Sequence, residues 1–144
     1  MLYILLAMLC LFLVYICYSD IRHRKISNAL ILAIAVISLL IGRLIAGEVI
    51  ILPALCLLLI GFLLSTCRVF GAGDAKLLVA LSLSLSSEAT LVFLFLTSLA
   101  GLPVALLTLI NNHYRKNAPH KTVPYGVAIA VGYMATMLSQ QGPL

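Results

Sequence analysis

Acidic residues are scarce in this chain, numbering four: Asp20, Glu48, Asp74 and Glu88. Two of them sit in unusual company. Asp20 lies in "CYSDIRHRKISN" and Asp74 in "FGAGDAKLL", each at the edge of a strongly apolar run. Two carboxylates brought close in a poorly solvated place cannot both ionise easily, so one pKa rises and the pair shares a proton. The ionised partner can take a proton from water as it attacks a peptide carbonyl, and the protonated partner can donate to the carbonyl oxygen and help the amine leave. The two macroscopic pKa values belong to the pair. Such hydrolysis calls for no metal and no cofactor. Each acid also has a plainer reading. Asp74 suits the N-cap of a helix beginning "AKLL" after a Gly-Ala-Gly turn. Asp20 could pair with Arg22 or Arg24 in an exposed loop, an interaction worth little.

The elements that must position these acids are membrane spans. The chain has 144 residues, of which 64% are hydrophobic and 9% charged, and its mean hydropathy is +1.23. A soluble domain carries about 25% charged residues, so the composition predicts an all-α, polytopic integral membrane protein forming a single embedded domain over 1–144. Candidate spans are 2–18, 28–46, 49–67, 75–87, 89–111 and 123–139, about six in all. The first lacks a basic n-region and a small-residue cleavage site and reads as a retained span. The fourth is too short to cross a full bilayer. The run 77–111 carries one charge, Glu88, yet is too long for one span, so a turn is expected at "SSE" (86–88). "GLP" at 101–103 is expected to kink the fifth span.

Basic residues then set the orientation. Arg22, Arg24 and Lys25 follow the first span, Arg68 and Lys76 the third, and Arg115, Lys116 and Lys121 the fifth; Arg43 alone falls on the other side. The positive-inside rule puts these three loops in the cytoplasm and both termini outside. Spans two and three carry the chain out and back, so parity brings Asp20 and Asp74 to the same cytoplasmic edge. Glu48 and Glu88 fall on the outer side. The net charge of +5 therefore reports membrane orientation and lipid contact, with no nucleic-acid partner implied. The cysteines Cys10, Cys17, Cys56 and Cys67 form no CxxC pair and read as apolar packing residues. His23, His113 and His120 read as solvated loop histidines, and no metal site is expected.

Gly71 and Gly73 are expected to give the backbone positive φ and to let an extended substrate approach. The short fourth span would hold Asp74 in a recess open to cytoplasmic water. Lys76, two residues after Asp74, is either a tuner of the aspartate, a substrate contact, or a snorkelling interfacial lysine. Pro124, Tyr125 and Gly126, in "VPYGVAIAVG", can be a helix start with proline near its first position.

Together these stretches resemble the type IV prepilin peptidases, membrane aspartic proteases with a GxGD motif. "GAGDAKLL" is similar to the family's glycine-x-glycine-aspartate-x-lysine-leucine core, which implies a catalytic role for Asp74. "SDIRHRKISN" resembles the first-aspartate motif and implies the same for Asp20; Ser27 stands where the family usually has proline. "VPYGVAIAVG" resembles the stretch opening the last core span. The resemblance implies supporting or substrate-contacting roles for Gly71, Gly73, Lys76, Pro124, Tyr125 and Gly126. It implies an aspartic endopeptidase of the prokaryotic cytoplasmic (inner) membrane, its site facing the cytoplasm. The partner would be a prepilin with a basic leader followed by a hydrophobic helix, cleaved at the boundary. No cysteine-rich zinc-binding insert is present, so the chain looks like the short branch serving Tad-type pili, without grounds for methyltransferase activity.

Two readings from other classes compete. Membrane acids often mark ion pathways, which suggests a small transporter; against it, the acids sit at the edge and no inverted repeat is found. A non-enzymatic pilus-assembly protein would use both aspartates only as caps, and would tolerate Asp→Asn at either.

Overall fold

A computed structural model describes residues 1–23, 26–47, 50–67, 71–114 and 123–140. Among them are six helices and no strand: α1 (Leu2–His23), α2 (Asn28–Ala46), α3 (Leu52–Thr66), α4 (Ala72–Ser82), α5 (Ser87–Tyr114) and α6 (Tyr125–Gln140). Arg24, Lys25, Glu48, Arg68, Arg115, Lys116, His120 and Lys121, used above for orientation or weighed as loop residues, lie outside the described residues.

Apolar stripes decide which faces turn inward. On α1 the buried positions are Leu9, Leu13, Ile16 and Asp20, spaced by four, three and four residues along one helical face. On α2 they include Ile31, Ile34, Ser38 and Ile41 in the same rhythm. The two central helices are short. α4 packs against α2, α3 and α6, while α6 packs against α1, α4 and α5. Their inner residues, among them Leu77, Leu81, Ile129 and Tyr133, are fully buried. The outer helices instead leave large apolar side chains exposed, such as Leu11, Leu32, Leu59, Phe62 and Phe95. A soluble protein would not present such a surface, but lipid accepts it. α1, α2 and residues 87–111 of α5 are long and apolar enough to cross a membrane by length and composition. The chain is an all-α membrane protein.

Small residues let the helices approach closely. A side chain at Gly132 on α6 would meet the backbone of Thr97 on α5 at 2.7 Å, and one at Gly61 on α3 would meet Ala75 of α4 at 2.9 Å. Where polar groups enter the core they are mostly paired: Tyr133 and Ser84 share a 2.7 Å hydrogen bond, and the Ser84 hydroxyl also reaches the Leu81 carbonyl at 2.8 Å.

Several boundaries differ from expectation. α4 begins three residues earlier than 75 and ends at Ser82, so the turn occupies 83–86, slightly ahead of "SSE". Its end is set by the next helix, whose Ala89 N–H donates to Ser86 Oγ at 3.2 Å as an N-cap bond. At 11 residues, α4 is about 16 Å long. α3 and α6, at 15 and 16 residues, are also shorter than expected. α5 stays helical through Pro103.

Candidate active site

The α1 stripe ends on an acid. Asp20 lies within the last turns of α1 and is only 7% exposed, not in a solvated loop beside Arg22. It is buried because it continues the line Leu9–Leu13–Ile16 onto α6. There its Oδ2 accepts the backbone N–H of Gly126 at 2.8 Å. Gly126 is the second residue of α6, so the bond comes from the helix N-terminus, where unsatisfied N–H groups and the macrodipole favour negative charge. The fit excludes a side chain at 126: a Cβ there would stand 2.8 Å from Asp20 Oδ2 and 3.2 Å from its Cγ.

Asp74 also sits at a helix N-terminus, its own. The N-cap of α4 is Gly71, with the first helical bond from Ala75 N–H to Gly71 C=O at 3.0 Å. Asp74 is therefore the third helical residue and not the cap. Its carboxylate folds back over the start of the helix: a Cβ on Gly71 would lie 2.6 Å from Asp74 Oδ2. The expectation of positive φ is corrected. Gly71 has φ −68° and ψ 130°, Gly73 is helical, and among the described residues the glycine with positive φ is Gly47, capping α2. Gly71 is needed for space beside the carboxylate, not for its backbone angle.

Lys76 turns elsewhere. Residues two apart on a helix do not share a face, and Lys76 Nζ donates to Asn28 Oδ1 on α2 at 3.1 Å. Nearby, Ile26 packs against Gly73, its Cβ 3.6 Å from where a Gly73 Cβ would stand. Ser27, at the N-cap of α2, has φ −67°, an angle a proline would impose; the departure at this position leaves the backbone shape intact. Tyr125 opens α6, its ring 3.4 Å from where a side chain on Gly101 of α5 would begin, and Pro124 directly precedes it.

These contacts bring all three motif stretches to one end of the bundle. Asp20 meets Gly126, and the segment after Asp20 meets the first turn of α4 through Ile26 and Asn28. The sequence profile of the type IV leader peptidase family matches residues 7–106. The chain belongs to the type IV leader peptidase family. Neither curated proteins nor solved structures compared with the chain gave a match. Membership makes this membrane protein a peptidase of leader-peptidase type. Both aspartates fall within the matched stretch, whereas Pro124, Tyr125 and Gly126 lie beyond it.

Within this leader peptidase, sequence reasoning passed over Asn28 and Ile26 as contributors to the site. Both stand in the quoted run "HRKISN", but nothing in their spacing says that α4 would dock there. A cavity of about 550 Å³ opens at the other end, between Leu6, Gly42, Ile45, Ser86 and Met137. It exists because α4 stops short, and it touches neither carboxylate.

Proposed function

We propose that this leader peptidase is an aspartic endopeptidase in which Asp20 and Asp74 form the working pair. The observation that carries the reading is the Gly126 N–H bond to Asp20 Oδ2, which ties the third motif stretch to the first aspartate. Brought close in a poorly solvated place, the pair would hold one proton between them. The ionised member draws a proton from the attacking water; the other donates to the carbonyl oxygen and then to the leaving amine. The N-termini of α4 and α6 favour the negative charge that the pair must keep.

The substrate in this proposal is a prepilin of the Tad type, cut where its basic leader meets its hydrophobic helix. The whole chain, 1–144, acts as one domain in a prokaryotic inner membrane, with both termini outside and the carboxylates at the cytoplasmic edge. The bias of eight basic residues against one supports this orientation. Cleavage requires a few substrate residues to leave the helical state, and in this proposal Gly71, Gly73, Pro124, Tyr125 and Gly126 receive that strand.

The test is cleavage of a candidate prepilin by the purified chain in detergent, read by mass spectrometry. The proposal expects leader removal at the boundary, with no ion gradient present and with a chelator added. Activity that needs a gradient, or stops with the chelator, contradicts it.

A further inference from the structure

The bond between Lys76 and Asn28 joins segments 48 residues apart. One segment begins six residues after Asp20, at Ile26, and the other, 73–76 at the start of α4, contains Asp74, with Lys76 two residues beyond it. A second contact, Ile26 on Gly73, joins the same two segments. Beside the bond, α2 and α4 pack against each other, and a groove runs along the seam they share with α3. A cleft of about 400 Å³ opens there, lined by Asn28, Ile31, Leu32, Lys76 and Val79 among others. Asn28 and Lys76 both line this groove, so their hydrogen bond lies at its edge.

We propose that Asn28 is a positioning residue that acts through Lys76. Together with the Ile26–Gly73 contact, the pair forms a brace that fixes the Asp74-bearing turn against the segment following Asp20, and so sets the separation of the carboxylates. The proposal rests on the reading of Asp20 and Asp74 as the working pair. It gives Lys76 a structural duty: its ammonium is held by Asn28 on α2. It also explains why a lysine serves here, since a long stem can span the cleft while its head stays at the polar edge.

The experiment is a double-mutant cycle on prepilin cleavage with Asn28→Ala, Lys76→Met and the two combined. A misplacement of about 1 Å costs up to roughly a hundredfold in rate. Each single variant is expected to lose about tenfold or more in kcat, with KM held within about twofold, and the double variant to be no worse than either single. Asn28→Asp, which keeps the acceptor, should retain activity. Losses that multiply in the double variant, or an Asn28→Ala protein that cleaves normally, overturn the brace.

A disulfide supplies an independent arm. The Cβ positions of 26 and 73 are 3.6 Å apart, within the range that a disulfide bridges. Adding Ile26→Cys and Gly73→Cys to Asn28→Ala should give a protein faster when oxidised than when reduced. Equal rates in the two redox states count against positioning. Asp74→Asn distinguishes the two levels: if it cleaves normally the working pair is wrong, whereas a dead Asp74→Asn beside a normal Asn28→Ala removes the brace alone.

Discussion

Replacing Gly126 with alanine adds a single methyl group directly against the Asp20 side chain. That Cβ would stand 2.8 Å from Asp20 Oδ2, 3.2 Å from Cγ and 3.3 Å from Cβ. All three atoms are contacted, so rotating the carboxylate alone does not relieve the clash. Either the side chain swings out of its buried place, or α1 and α6 separate. Both routes lengthen the 2.8 Å bond from Gly126 N–H. A hydrogen bond to a charged group contributes about 1.5–3 kcal/mol, and that loss in the reacting state lowers the rate roughly ten- to a hundredfold. The assay is prepilin cleavage in detergent with kcat and KM separated, alongside a thermal melt of each protein. Gly101→Ala is the comparison, because its Cβ would meet the Tyr125 ring at 3.4 Å, an ordinary contact, and should cost little. If Gly126→Ala cleaves within twofold of wild type, the Asp20–Gly126 fit does not govern the chemistry and the reasoning fails.

Other predictions follow from the same geometry. Gly71→Ala presses on the Asp74 carboxylate from one side only, at its mobile end; an off-rotamer adjustment of about 0.5–1.5 kcal/mol should slow cleavage about two- to tenfold, less than Gly126→Ala, and a larger effect in the cleavage assay would contradict this. Gly132→Ala drives a Cβ into the Thr97 backbone and should cost about 1–3 kcal/mol of stability by overpacking, seen as a lowered Tm in detergent. Tyr133→Phe removes the bond to Ser84 and should cost about 1 kcal/mol by the same melt, while cleavage per folded molecule stays unchanged.

Much of the arrangement was legible because membrane spans leave strong signals. The stripe Leu9–Leu13–Ile16–Asp20 is written in the sequence at helical spacing, and following it inward would have predicted that Asp20 is buried. The turn after α4 was found from chain length, and its cap, Ser86, is the kind of residue that ends one helix by starting another. The glycines misled, because Gly-Ala-Gly reads as a turn. In the fold it contributes one cap and two helical residues, and the demand on Gly71 comes from a carboxylate in three dimensions. Asn28 and Ile26 could not be placed for a related reason. Their partners lie on α4, and which helices become neighbours depends on shape matching among all six, through contacts such as Gly61 with Ala75 and Gly132 with Thr97. Hydropathy records where a helix starts and stops, not whom it meets.

The central claim is that two aspartates, each on its own motif, do the cutting together. The most direct measurement is leader cleavage of a co-expressed prepilin in membranes by wild type, Asp20→Asn and Asp74→Asn, with the amount of inserted protein measured for each. The account predicts that both variants insert and accumulate and that neither cleaves. An Asp20→Asn or Asp74→Asn protein that cleaves at near wild-type rate would contradict it.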